Sequence, residues 1–236
     1  MTQLSGDGRT TVHLLRHGEV YNPDGILYGR ADGYHLSARG RRMADRVADR
    51  IGDRDITLIV SSPLERAQET AAPLAHARGL EIETDDRVIE SSSIFEGQRF
   101  GVRRSILRAP GVWRHIWNPL EPSWGEPYKE IAARMRAAVD DVRRRVEGHE
   151  GVIVSHQLPI WTARLAAEGR SYLHDPRKRH CSLCSLTSFT FEGDRLVQVA
   201  YSEPAGDLIP VADRGKAFSS GGKEERAAQP GERDDR

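Results

Sequence analysis

The stretch Thr11-Val12-His13-Leu14-Leu15-Arg16-His17-Gly18-Glu19 decides how the chain folds. Thr11 to Leu15 is apolar enough to read as a short buried strand, and Gly18 lets the backbone turn sharply where the strand stops. Arg16 and His17 then sit at the carboxyl-terminal edge of a strand. That is the edge at which open α/β sheets bind ligands.

Working outward, Asn22-Pro23-Asp24-Gly25 is turn chemistry. Ser37 has the side chain of a helix cap, and Met43, Val47 and Ile51 follow at four-residue spacing, which predicts a helix to about Ile51. Ile56 to Val60 reads as a second buried strand. Ser61-Ser62-Pro63 opens the next helix, with Pro63 in its first turn and Gly79 just past its end. Leu80 to Ile82 has the character of a brief third strand. A helix is expected from Arg99 to Leu107, and then an irregular stretch, Ala109 to Pro127, with Trp113, Trp117 and Trp124. These tryptophans suit either a satellite core or an apolar wall over a pocket. Tyr128 to Val146 predicts an amphipathic helix, Val152 to Ser155 a strand, and Pro159 to Glu168 a helix. Leu183–Phe191 and Leu196–Tyr201 form a hairpin turned by Glu192-Gly193-Asp194. Strands alternating with helices imply an α/β fold, a mainly parallel sheet covered on both faces.

The 236 residues suit one domain over 10–211, after a loose lead-in at 1–9. Beyond Val211 the chain is Gly, Ser and charge, a composition expected to be disordered. The 35 basic and 35 acidic residues cancel, which argues against a general nucleic-acid binder. Cys181 and Cys184 make no disulfide framework, Met1 to Thr10 lacks the apolar core of a secretory signal, and no apolar run approaches a membrane span. The expected placement is a reducing cytoplasm. Neither Gly-x-Gly-x-x-Gly after a strand nor a P-loop string occurs, so dinucleotide and P-loop readings have no support.

Other pieces carry chemistry. Ser61-Ser62-Pro63-Leu64-Glu65-Arg66-Ala67-Gln68-Glu69-Thr70-Ala71 follows a strand and starts a helix, whose free amides and positive dipole end favour an anion. Arg66 there could add a guanidinium fork; taken alone it reads as a surface arginine on a proline-started amphipathic helix. Val154-Ser155-His156 ends another apolar strand in a histidine, so two imidazoles can meet over one site. Asp85-Asp86-Arg87-Val88-Ile89-Glu90 is rich in carboxylates, most of which suit a solvated surface.

Taken in order, these strings resemble the histidine phosphatase superfamily (phosphoglycerate mutase-like, branch 1): Arg16-His17-Gly18, the Ser-Pro-Leu-x-Arg-Ala-x-x-Thr-Ala element at Ser62–Ala71, and His156 after its strand. The resemblance covers Thr11 to Tyr201 and implies a three-layer αβα sandwich. It implies His17 as the nucleophile, Arg16, Arg66 and a protonated His156 as the phosphate grip, and Glu90 as the proton donor, with Glu96 of Phe95-Glu96-Gly97 as the alternative. It also points to Asn22 as a phosphate contact. Arg30 of Tyr28-Gly29-Arg30 either reaches substrate or is a solvated loop arginine. Gly125-Glu126-Pro127 resembles the family's Gly-Glu-Ser. The chain departs from the pattern at Gln157, where glycine is usual, at Ser91-Ser92-Ser93, at the one-residue-shorter spacing to Asn22, and at Pro127 in place of serine.

The implied reaction is hydrolysis of a small phosphorylated substrate through a phosphohistidine, with no cofactor and no metal. Only 66 positions separate Glu90 from His156, like the compact phosphatases rather than the mutases, which carry a long covering insertion there. Three alternatives are kept: a mutase, a phosphate-binding protein on the same fold, and a zinc site in His174–Cys184, where two histidines and a Cys-x-x-Cys have the right ligand types.

Overall fold

The computed structural model describes residues 8–93, 96–98, 125–175 and 178–210. One six-stranded sheet organises them, built from β1 (Arg9–Arg16), β2 (Ile56–Ser61), β3 (Ile82–Thr84), β4 (Glu150–Ser155), β5 (Leu186–Glu192) and β6 (Arg195–Ser202). The spatial order is β3-β2-β4-β1-β5-β6. The first four in that order run parallel; β5 and β6 close the sheet as an antiparallel hairpin against β1. Helices α1 (Ala38–Ile51), α2 (Glu65–Arg78), α3 (Tyr128–Arg145) and α4 (Gln157–Ala167) cover it. None of the described helices is long and apolar enough to cross a membrane.

The period of two along each strand divides the core into two layers. Leu15, Ile59, Val152 and Val154 face α1 and α2, packing on Met43, Val47, Ile51, Ala71 and Leu74. Val12, Leu14, Val60 and Ile153 face α3 and α4, packing on Ile131, Met135, Val142 and Ile160. Each buried side chain of this size contributes about 1.5–3 kcal/mol on leaving water. The expected αβα sandwich is therefore the fold.

The elements differ from expectation in ways that matter at the sheet edge. Ser37 caps α1 as predicted, its hydroxyl accepting the Gly40 N–H at 3.0 Å. Pro63, however, precedes α2, whose cap is Leu64, so Arg66 lies within the first turn. The helix expected from Pro159 begins two residues earlier, with His156 itself as the cap residue. β3 is shifted to Ile82–Thr84. β5 begins at Leu186 rather than Leu183 because Leu183 and Cys184 form a turn, with Cys184 in the left-handed region at φ 53°. The predicted helix at 99–107, Trp113, Trp117, Trp124, and the expected tail beyond 211 lie outside the described residues, as does the lead-in up to residue 7.

Candidate active site

β1, β4 and β2 are adjacent and parallel, so their carboxyl ends leave the sheet side by side. Arg16 is in register with Ser155, and Ser61 with Val154. The His17 N–H donates to Ser155 O at 3.0 Å and the Ser62 N–H to Val154 O at 2.9 Å, which carries the pairing one residue past each strand. The Cys184 turn supports this edge from the other side, since Ser185 O accepts the Arg16 N–H at 3.1 Å. Gly18 serves by being small: a Cβ there would stand 2.7 Å from Gly40 O at the start of α1. It is not in the positive-φ region, so the expected sharp turn is instead a close approach of two backbones. Thr70 holds the same loop, its hydroxyl accepting the Gly18 N–H at 3.0 Å and donating to Arg66 O.

The two histidines meet. The rings of His17 and His156 lie 5.1 Å apart at 56°, and both side chains are buried. His17 Nδ1 lies 2.8 Å from Gly18 O, an acceptor only, so Nδ1 carries the proton and Nε2 keeps its lone pair. His156 Nε2 lies 2.8 Å from the Ser62 hydroxyl, which can give or take the shared proton. The other ring nitrogen, Nδ1, is buried with no partner among the described residues.

Two guanidinium groups complete a donor array. Arg66 is fully buried, with Nη2 donating to Gly29 O at 2.6 Å and its charge 4.8 Å from the Tyr28 ring centroid. Its Nε and Nη1 have no partner, and neither has Nε of buried Arg16, whose Nη1 donates to Cys181 O at 2.6 Å. A buried donor without an acceptor costs about 1–3 kcal/mol, more when charged. Three such guanidinium atoms and an unpartnered imidazole nitrogen are a set whose unmet demand an acceptor-only dianion would satisfy.

Electrostatics follow from this crowding. Burial first, then Arg66 and Arg16, push the His17 pKa well below the ordinary imidazole value, against the Gly18 bond. His156 is lowered in the same way by burial, Arg66, His17, Arg16 and Arg134. His156 was expected to be protonated; in the protein alone it is held neutral, because two fixed cations and low solvation oppose a third charge. Glu90 moves oppositely: burial raises its pKa over the opposing pull of the Ser91 N–H and of Arg66, Arg16 and Arg134. Its Oε1 accepts that N–H at 2.8 Å. Glu96 instead takes the Ser93 N–H at 3.1 Å and its side chain rests against Gly29, closing a loop.

Two of the expected phosphate contacts have structural partners in the protein alone. Both ends of the Asn22 amide bind Ile26, Nδ2 donating to its O at 2.8 Å and Oδ1 accepting its N–H at 3.0 Å, so Asn22 shapes this loop. Arg30 Nε donates to Glu90 O at 2.7 Å, and Nη2 pairs with Glu126. In the protein alone Arg30 therefore holds the backbone of the acid through two of its nitrogens. Gln157, buried at the start of α4, donates to Cys181 O at 3.3 Å, the same acceptor as Arg16.

The family model for the histidine phosphatase superfamily (branch 1) matches residues 12–204. The chain belongs to the histidine phosphatase superfamily. It is 57% identical over 196 residues to the uncharacterized protein Rv0525 of Mycobacterium tuberculosis (strain ATCC 25618 / H37Rv), covering 83% of this chain and 97% of that one. It is 32% identical over 203 residues to the probable phosphoglycerate mutase GpmB of Yersinia enterocolitica, covering 83% and 92%. Among solved structures, the mycobacterial glucosyl-3-phosphoglycerate phosphatase Rv2419c aligns with a TM-score of 0.63 at 28% identity, over 77% of this chain and 90% of that one.

Within this histidine phosphatase superfamily chain, sequence reading missed the supports. Glu126 takes Arg134 bidentately, at 2.7 and 3.0 Å, as well as Arg30 at 3.0 Å. Arg134 Nη1 then donates to Arg87 O at 2.6 Å, so one carboxylate anchors both ends of the segment leading to Glu90. The Gly-Glu string was the available signal; its arginines are 96 and 8 residues away. The zinc alternative finds no ligand set: among the described residues no three His, Cys, Asp or Glu side chains converge. His174 Nδ1 donates to Tyr172 O and Nε2 accepts from Arg179, while Cys181 and Cys184 are buried thiols.

Proposed function

We propose that the chain is a phosphatase of the acid-phosphatase type, which hydrolyses a small phosphomonoester in a reducing cytoplasm, through a phosphohistidine at His17 and without a metal. The observation that carries this reading is the approach of two imidazoles that both feel Arg16 and Arg66, whose Nε atoms and Arg66 Nη1 are buried without a partner.

Each residue then has a task. The Nε2 lone pair of neutral His17 attacks phosphorus as the ester P–O bond breaks. Gly18 O steadies the ring as it becomes a phosphorylated cation. Arg16 Nε, Arg66 Nε and Nη1, and the Nδ1–H of His156 take the equatorial oxygens, supplying the charge that phosphoryl transfer demands. A bound dianion favours protonation of His156, so the expected imidazolium belongs to the complex. Glu90, whose pKa is raised by burial, gives its proton to the leaving alkoxide. As carboxylate it next takes a proton from water, whose oxygen attacks the phosphohistidine; the P–N bond breaks and phosphate leaves. Splitting the displacement in two is the benefit of covalent catalysis.

Similarity to a probable phosphoglycerate mutase makes the phosphoryl acceptor the point to test. Incubation with 3-phosphoglycerate and its bisphosphate, followed by phosphorus NMR, separates the readings. Release of inorganic phosphate is expected to outpace isomerisation. Isomerisation faster than release would make the chain a mutase.

A further inference from the structure

The outer half of α4 leads away from His156 to a second, cationic hollow. Trp161 and Arg164 lie five and eight residues past the cap, roughly 7 and 12 Å along the axis. A cavity of about 440 Å³ is lined by Trp161, Arg164, Arg170, Lys178, His180 and Tyr201, sharing none of the residues that line the phosphate grip. Its volume falls in the range of small-molecule sites.

This cavity is built rather than merely basic. The Arg164 charge lies 5.7 Å from the centroids of both Trp161 and Tyr201, and that of Arg170 lies 5.9 Å from Trp161. Glu168 ties both arginines from one side, accepting from Arg164 Nε and Arg170 Nη1 at 2.8 Å each. With Lys178 included and the carboxylates of Glu168 and Glu203 subtracted, one formal positive charge remains. Glu203, beside Tyr201, is occupied by the Tyr201 and Ser182 hydroxyls at 2.7 Å. Two buried donors have no acceptor in the protein: Arg164 Nη1, and Nε1 of Trp161, which is only 4% exposed. Arg, Lys and indole nitrogens are donors only, so their complement is an acceptor-rich anion.

We propose that this cavity is a second anion site, which binds a small phosphate-bearing molecule carrying at least two negative charges while the His17 site is independently filled. The cation–π contacts and Glu168 fix two guanidinium groups in advance, so little side-chain entropy is lost when the anion arrives. Binding should weaken with salt, as expected for partly exposed charges.

Calorimetric titration of the full chain with inorganic pyrophosphate tests this without any turnover. The Arg66→Met variant, with its first site disabled, is expected to bind about one pyrophosphate per chain. Adding Arg170→Glu and Lys178→Glu, both at exposed positions, should weaken that binding roughly tenfold or more. The two charge reversals alone should leave inorganic phosphate binding at the His17 site intact, with an unchanged circular dichroism spectrum. No binding by Arg66→Met, or residual binding indifferent to the reversals, would overturn the second site while leaving the hydrolysis reading untouched.

Discussion

Replacing Arg66 by Met separates an arginine kept for function from one kept for folding. In the protein alone, the side chain is fully buried with Nε and Nη1 unpartnered, and its compensation is one bond to Gly29 O and the Tyr28 ring. Two orphaned donors cost about 1–3 kcal/mol each; the lost bond and ring contact are worth about 1.5–3 and up to about 2 kcal/mol. These nearly cancel, so Arg66→Met is expected to leave the melting temperature within a few degrees of wild type. Function should change far more. Losing two charge-assisted bonds to a phosphoryl group, at about 1.5–3 kcal/mol each, lowers kcat/KM by about 10²–10⁴-fold. The assay is thermal unfolding with and without phosphate, beside initial rates on a phosphomonoester. At a hundred times its dissociation constant, phosphate should stabilise the wild type by about 2.7 kcal/mol, or ~5–10 °C, and the variant hardly at all. A variant that melts well below wild type without phosphate, yet retains the phosphate shift, would refute the reasoning: Arg66 would then be a structural residue.

The remaining predictions concern the acid, its anchor and acid stability. Glu90→Gln should cut turnover of alkyl phosphates about 10²–10⁴-fold and abolish the alkaline limb of the kcat/KM profile, while p-nitrophenyl phosphate still gives a burst of nitrophenol; an unchanged alkaline limb would assign the acid elsewhere. Glu126→Gln weakens the grip on Arg30 and Arg134, costing about 1.5–3 kcal/mol in chemical unfolding and lowering kcat more than it raises KM; a pure KM effect would contradict its positioning of Glu90. His17 and His156 both have folded pKa values below the unfolded one, so above pH 6.5 they are neutral in either state. Below it the unfolded chain gains protons that the folded chain refuses, and each group removes about 1.4 kcal/mol of stability per pH unit until its depressed value is reached. The fall in melting temperature between pH 7 and pH 5.5 should shrink in His156→Asn; an equal fall would show that the imidazole is not held neutral by burial.

How much of this was legible in the sequence depends on the range of the forces involved. β1, α1 and β4 were readable because local period and capping chemistry decide them: Ser37 caps where its hydroxyl predicts, and Val152–Val154 are apolar in sequence and buried in space. The meeting of His17 and His156 followed from two strand ends belonging to adjacent parallel strands. What failed was decided by contacts remote in sequence. α4 starts at Gln157 because His156, a poor cap by residue type, is pinned by Ser62 just past the end of β2. β5 starts late because Cys184 adopts a backbone conformation that its residue type does not announce. The protein partners of Arg30 and Asn22, which are Glu90 O, Glu126 and Ile26, were equally hidden, because they are set by how the loops fold over the edge. The lowered basicity of His156 in the protein alone was not legible, because composition counts cations without revealing the burial that makes them repel.

The most direct test of the central claim is to mix the enzyme with a ³²P-labelled phosphomonoester and quench in alkali within one turnover. Tandem mass spectrometry of the peptide containing Arg16-His17-Gly18 should then locate the label. An alkali-stable, acid-labile phosphoryl group on Nε2 of His17, accumulating in Glu90→Gln and absent from His17→Ala, is the expected result. A label on any other residue, or turnover that persists in His17→Ala, would contradict the account.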